Sequence, residues 1–299
     1  MSLLTSHLLC HPGNVAALVE LLRVANRPLT ESDAEELLHP PGMTAVLDKE
    51  PSSESVKKAI EVADWCKLVK RKDGVVVLAD ALKDIKAEDL LAGLPLAASR
   101  GLFDRTWSGE IEKDRLNGGD LALVMAWFLA QDPFAGELKA DQLILAFGSQ
   151  LNIKEDLVNN EKLGQLRRWA KWLGLGRQDV VDGSLFVPDP TVVVGRYVES
   201  LEEESYTGTG FVKELSKLCP VLDNGKIRKS VMATLRDGAL PWESDPQKVS
   251  PALSLSLWRL NQSGKIHYGL EADAKQSYRC ELVLPVEENV TLSYVRIQK

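Results

Sequence analysis

Residues 53–79 read SESVKKAIEVADWCKLVKRKDGVVVLA, and this segment decides the fold that we predict. Val56, Ile60 and Leu68 recur at helical spacing, which predicts a helix that one of the preceding serines can cap. Residues 70–74, Lys-Arg-Lys-Asp-Gly, predict a turn, because Asp-Gly readily adopts the positive φ values of tight hairpins. The Val-Val-Val-Leu run that follows predicts a short strand.

Two further helices are predicted upstream of this segment. Residues 15–24 are apolar at helical spacing, residues 26–29 predict a turn, and Thr30 can cap a helix over residues 31–38. Thr30 followed by Asp33 resembles a capping box, with Asp in place of the usual Glu or Gln. The resulting order of helix, helix, longer helix and hairpin is that of a winged helix.

The same order recurs twice along the chain, and a repeat of this kind organises the whole fold. Residues 120–130 and 139–151 predict two helices, residues 161–173 predict a third that ends at Gly174, and residues 180–187 predict a hairpin around Asp-Gly. Each repeat thus places a tryptophan-bearing helix before a turn and strand-forming residues.

The third occurrence lies in the last hundred residues. Residues 206–218 and 227–235 predict its first two helices, and residues 253–262 predict the tryptophan-bearing helix. Residues 265–270 and 277–284 predict the two strands of its hairpin.

These patterns predict a mainly α fold with small β-hairpins (α+β), built of tandem winged-helix units. We predict a first winged-helix unit over residues 1–85, a glycine-rich linker over 86–118, a second unit over 119–198 and a third over 199–299. The alternative is a set of unrelated α+β segments that share the same turn signals.

Length, charge and cysteine usage limit the class of protein. The 299 residues exceed one small domain, and the net charge of −7 argues against a protein that coats nucleic acid through bulk charge. The four cysteines show no paired spacing, which predicts reduced thiols. Residues 1–13 carry no Lys or Arg and no apolar run is long enough to span a membrane, so we expect a cytoplasmic protein without membrane contact.

No motif for catalysis stands out. The chain lacks a phosphate loop of the G-x-x-x-x-G-K-[ST] type and a G-x-G-x-x-G fingerprint. His7, Cys10 and His11 form the densest group of metal-capable side chains, but no second group lies at zinc-finger spacing. We therefore expect no enzyme activity, no catalytic residues, no metal site and no cofactor.

Basic residues on the third helices and wings are the candidate contacts for nucleic acid. A winged helix typically lays its third helix in the major groove and touches the DNA backbone with its wing. Alternatively, the same cations only form a solvent-exposed helix face and contact no nucleic acid. The predicted nucleic-acid-binding residues are Lys162, Arg167, Arg168 and Lys171 in the second unit, Lys70, Arg71 and Lys72 in the first, and Lys226, Arg228 and Lys229 in the third.

Taken whole, the chain resembles the tandem winged-helix accessory proteins of bacterial DNA-modification and phage-defence islands. Segments such as LLRVANRPLTESDAEELL and VADWCKLVKRKDGVVVLADAL are similar to the family of the G component of the deazapurine-in-DNA (Dpd) system. The resemblance implies a role beside helicase-like and nuclease-like partners in recognising or restricting unmodified DNA. It carries over no catalytic residue.

Sequence and resemblance together lead to one expected function and two alternatives. We expect a non-enzymatic adaptor that binds double-stranded DNA within a bacterial multiprotein complex of anti-phage defence. The first alternative is a winged-helix scaffold that binds only proteins, and the second is a nuclease whose metal site the sequence does not reveal. Fold alone does not choose among them.

Overall fold

A computed structural model describes residues 3–4, 11–39, 53–83, 85–104, 107–114, 119–135, 139–152, 158–179, 182–240, 242, 245–271, 274, 276–280 and 291–298. These residues are mainly helical with small sheets, which confirms the predicted fold class at that level, while the winged-helix assignment stays a prediction.

The chain forms two compact units, Leu3–Arg105 and Thr106–Lys299. This division differs from the three units and linker that the sequence predicts. Residues 87–103, in the predicted linker, form a helix that belongs to the first compact unit. Residues 119–198 and 199–299 belong to one compact unit, because helices from both halves pack against each other within it.

The first unit combines helices with one three-stranded antiparallel sheet of order β1-β3-β2. Its elements are α1 (Pro12–Ala25), β1 (Leu29–Thr30), α2 (Glu31–Leu38), α3 (Ser53–Trp65), β2 (Val69–Lys72), β3 (Val75–Leu78), α4 (Asp80–Lys83) and α5 (Ala87–Phe103). Helices α1, α2 and α3 pack on one another, and α5 packs on α1 and α3.

Local signals in the sequence of this unit correspond to the structure. The Asp33 backbone N–H donates to Thr30 Oγ1 and the Thr30 N–H donates to Asp33 Oδ2, both at 3.0 Å, so the capping box at the start of α2 is formed. Asp73 and Gly74 have φ values of 51° and 78° and make the two-residue hairpin turn. The predicted turn was too long, because Lys70, Arg71 and Lys72 lie in strand β2, paired with β3.

The described part of the second unit contains the remaining described helices and eight strands. Its elements are α6 (Ile111–Asp114), α7 (Asp120–Phe128), α8 (Ala140–Gln150), α9 (Asn160–Leu173), β4 (Gly176–Gln178), β5 (Phe186–Pro188), α10 (Thr191–Glu199), β6 (Ser205–Thr207), α11 (Gly208–Leu218), α12 (Lys226–Met232), β7 (Lys248–Val249), α13 (Pro251–Gln262), β8 (Ile266–Gly269), β9 (Tyr278–Cys280), β10 (Thr291–Leu292) and β11 (Tyr294–Ile297).

Helix α7 is the core helix of the second unit. Each of its nine residues is buried, including Asp120 at its first position. Helices α9 and α12 pack against it, and the antiparallel pair β4–β5 follows α9. Phe128, at the end of α7, stacks on Phe186 of β5 at 5.2 Å between ring centroids, which joins the core helix to the hairpin.

Strand pairing at the end of the chain differs from the prediction. The sequence predicts that residues 265–270 pair with residues 277–284, but β8 pairs with β11, and β9 pairs with β7 and β10. Residues 281–290 lie outside the described part of the chain. The predicted hairpin of the third unit is therefore wrong, since the partner of β8 comes from the last strand of the chain.

Candidate nucleic-acid interface

Local capping residues define both ends of helix α9. Asn159 Oδ1 accepts from the Lys162 N–H at 2.9 Å at its N-terminus, and Gly174 ends the helix with a φ of 78°. Its buried side carries Leu163, Leu166, Trp169, Ala170 and Leu173. Gln165 is buried as well. The buried side sets the rotation of the helix, so that Glu161, Arg168 and Lys171 face away from the core.

A shallow groove lies where α9 meets the β4–β5 hairpin. Its cavity volume is about 240 Å³, and among the described residues its lining contains three cations and no acidic residue. The lining residues are Arg167, Arg168, Lys171, Gln178, Gly183, Leu185 and Phe186. The groove therefore combines a partly apolar wall from the hairpin with positive charge from the helix.

Arg167 forms one wall of the groove and is only partly accessible. Its Nη2 donates to the Ser184 carbonyl oxygen at 3.2 Å, and its guanidinium carbon lies 5.8 Å from the centre of the Phe186 ring. Its Nε is buried and has no hydrogen-bond partner among the described residues. Burial lowers the pKa of this guanidinium from its ordinary value, because desolvation disfavours the charged form. An anion in the groove would offset that cost.

Arg168 and Lys171 face outward at the rim of the same groove. Lys171 is exposed and Arg168 is half-buried. Among the described residues neither side chain has an acidic partner within salt-bridge distance, in contrast to most cations of the first unit. Their charge is therefore available to an incoming ligand.

Lys162 does not join this group, although the sequence placed it with the others. It lies six residues before Arg168, which at about 100° per residue turns it roughly 120° away around the helix. The side chain is half-buried on the side of Leu166 and Trp169. The sequence already contained this information, because the spacing of the residues fixes their angle around the helix. Lys162 is therefore not one of the contacts that the groove provides.

In the first unit the predicted cations of strand β2 are largely engaged in ion pairs. Lys70 Nζ contacts Asp80 Oδ2, and Arg71 Nη2 lies 2.7 Å from Glu31 Oε1. Hydrogen bonds from Lys70 and Lys83 lower the pKa of Asp80 to about 2. Lys72 is exposed, and no ion pair links it to a described residue. This strand is a weaker candidate surface than the groove beside α9.

Arg228 on helix α12 corrects the prediction most clearly. It is 2% exposed, and its guanidinium donates to the carbonyl oxygens of Ala126 and Leu129 at the end of α7, the latter at 3.0 Å. Asp223 Oδ2 lies 3.8 Å from its Nη2. A cation at the C-terminus of a helix satisfies otherwise unpaired carbonyls and complements the macrodipole. Arg228 therefore holds α12 to α7 and is not a ligand contact, whereas Lys226 and Lys229 are exposed.

The sequence prediction missed Gln178 and Phe186 as parts of the site. Gln178 ends β4, and its Nε2 donates to the Gly183 carbonyl oxygen at 2.5 Å across the hairpin loop. The sequence predicts the hairpin over residues 180–187, of which 180–181 lie outside the described residues, whereas strand β4 lies earlier, at Gly176–Gln178. The sequence did place Gln178 four residues before the Asp182-Gly183 turn, which is the feature that could have indicated its place in the hairpin.

Within the described part of the chain, no three or more His, Cys, Asp or Glu side chains come together in a way that could hold a metal ion. His11 caps α1 by accepting from the Gly13 N–H, whereas His7 and Cys10 lie outside the described residues. None of the described helices is both long and apolar enough to cross a membrane.

Comparison with known proteins gives a match to a protein family. A family model described as DpdG-like matches residues 1–274. Searches against curated proteins and against solved structures returned no match.

Proposed function

The chain belongs to the DpdG-like family, which gives it a role in the multiprotein Dpd DNA-modification system, and we propose how it acts there. In this proposal the protein is a non-enzymatic adaptor that binds double-stranded DNA. The groove beside α9 is the proposed contact surface. Arg168 and Lys171 are the proposed phosphate-binding side chains.

The observation that carries the proposal is the unpaired positive charge of this groove. A phosphate backbone is bound mainly through Lys and Arg, and an arginine fork fits a phosphate in two parallel hydrogen bonds. The three cations of the groove face no acidic residue in its lining, although the chain as a whole has a net charge of −7. A local basic surface on an acidic protein restricts nucleic acid to one place, since screening limits the reach of the other charges to about 8 Å.

The proposal assigns no catalysis to this site. The groove lining consists of Arg, Lys, Gln, Gly, Leu and Phe side chains, and none of these is a carboxylate, imidazole or thiol that could act as general base or hold a metal. The protein would therefore position DNA for partners of the same system. Incubation of duplex DNA with the protein and Mg²⁺ or Mn²⁺ tests this part, because any metal-dependent cleavage contradicts it.

Charge reversal tests DNA binding. We expect the double variant Arg168→Glu/Lys171→Glu to bind a random-sequence duplex far more weakly than the parent protein. Each phosphate contact contributes about 0.9 to the slope of log K against log salt concentration. Loss of two contacts should therefore reduce the magnitude of that slope by nearly 2 in mobility-shift titrations at several salt concentrations.

A matched control makes the same change of net charge outside the groove. Lys213 and Arg236 are exposed in the same compact unit and lie outside the groove lining, so Lys213→Glu/Arg236→Glu makes the same change of net charge elsewhere. We expect this control to retain most of the affinity and the salt slope. Equal losses in both double variants would mean bulk charge rather than a site. A parent protein that binds no duplex at low salt, but does bind a Dpd partner, would support the protein-only scaffold.

A further inference from the structure

Gly164 lies inside helix α9, and no described residue packs closely enough on it to explain a glycine there. Glycine destabilises a helix interior, so a close approach by another group usually explains its presence. Gly101 and Gly195 illustrate the usual case, because an added Cβ would lie 1.8 Å from the Cys66 carbonyl oxygen and 3.2 Å from a Leu260 methyl, respectively. At Gly164 an added Cβ would meet no described atom within 4 Å.

The position of Gly164 on the helix connects it with the proposed interface. Arg168 and Lys171 follow it by four and seven residues, which at about 100° per residue places all three on one stripe within about 60°. This stripe faces away from the buried side of α9. Gly164 lies about one helical turn N-terminal to Arg168 on this stripe, where the helix presents main chain instead of a side chain.

We propose that Gly164 is a contact residue of the DNA interface, at which the sugar–phosphate backbone of a duplex approaches the main chain of α9. The absence of a side chain lets the helix lie closer to the DNA. The shorter distance brings Arg168 and Lys171 into direct contact with phosphates on the same strand. This inference rests on the proposed function and adds to it the face of the helix that meets the DNA.

Open space beside a helical glycine does not by itself indicate a DNA contact. Gly93 in α5 and Gly148 in α8 also have no described atom within 4 Å of an added Cβ. Helix α8 contains neither Lys nor Arg, so no cation of this helix lies beside Gly148. Gly148, which is more exposed than Gly164, is therefore a control that also has open space for a Cβ but lacks the cations.

The test compares Gly164→Ala with Gly148→Ala in the full-length chain. Neither glycine has a positive φ, so alanine fits both helices, and we expect both variants to unfold at a higher temperature than the parent. Only Gly164→Ala should lose affinity for duplex DNA, by roughly fivefold to tenfold, the loss of one or two backbone contacts. Gly164→Leu should lose more than Gly164→Ala, whereas Gly148→Leu should bind like the parent.

The possible outcomes separate this inference from the proposed function. If both alanine variants bind like the parent while Arg168→Glu/Lys171→Glu does not, the groove binds DNA and the role of Gly164 is wrong. If Gly164→Ala lowers the unfolding temperature, the added methyl group meets the chain itself and the structural premise is wrong. If the parent binds no duplex, the proposed function fails and the inference fails with it.

Discussion

Replacement of Arg228 by alanine should destabilise the second unit without acting through DNA. The wild-type guanidinium is buried, donates to two carbonyl oxygens at the end of α7 and faces Asp223. Removing one member of a buried ion pair costs about 3–5 kcal/mol, because the remaining charge and hydrogen-bonding groups lose their partner in a low-dielectric environment.

The remaining contacts of Asp223 place the expected value near the lower end of this range. Its carboxylate also accepts from the Ser250 N–H at 2.6 Å and from Ser250 Oγ at 2.8 Å, so it is not left unsatisfied. The two α7 carbonyls, by contrast, lose the guanidinium donors that reach them. We expect a loss of about 3 kcal/mol in the free energy of unfolding.

Urea unfolding followed by tryptophan fluorescence measures this loss. With an m-value of about 3 kcal/mol per molar urea, the midpoint should fall by about 1 M. Lys229→Ala changes the exposed neighbour on the same helix and should stay within about 0.5 kcal/mol of the parent. A stable Arg228→Ala variant that has lost DNA affinity would refute the structural role and restore Arg228 as a ligand contact.

Two further predictions concern single acidic residues. Glu161→Gln should tighten DNA binding, because Glu161 is exposed in the first turn of α9 and repels phosphates there. The same substitution removes a negative charge that favours the N-terminus of the helix. Unchanged or weaker affinity in the mobility-shift titration would contradict the proposed approach of DNA along this helix. Asp80→Asn should flatten the acid dependence of unfolding of the first unit. Lys70 and Lys83 lower the pKa of Asp80 in the folded state to about 2, from about 3.9 in the unfolded state. The contribution of Asp80 to stability is therefore fully present above about pH 3.9 and is lost as the pH falls from there to about 2. Acid titrations of the two proteins by circular dichroism that coincide between those pH values would contradict the role of this ion pair.

Local signals in the sequence predicted the helices well. The Thr30–Asp33 capping box, the Asp73-Gly74 turn and the end of α9 at Gly174 each depend on residues within four positions of one another. Such signals act through short hydrogen bonds and φ preferences, which need no knowledge of distant parts of the chain. The separation of Lys162 from Arg168 also follows from sequence, once the angle per residue is applied.

Pairing between distant segments could not be predicted in the same way. Strand β8 pairs with β11 across more than 20 intervening residues, whereas the nearer strand β9 pairs with β7 and β10. Each of these strands has only two to four residues, so its pattern of apolar residues suits several partners and registers. Packing in the second unit makes the choice among them.

The sequence by itself determined the mainly helical class, the limits of helix α9 and the presence of a basic stripe upon it, because these depend on helical periodicity and local capping. Tertiary structure decided which cations remain available. Arg228 is buried against the carbonyls of α7, and Lys70 and Arg71 pair with Asp80 and Glu31. The physical reason is that the availability of a charge depends on the groups brought near it by folding, and those groups lie 10 to 102 residues away along the chain.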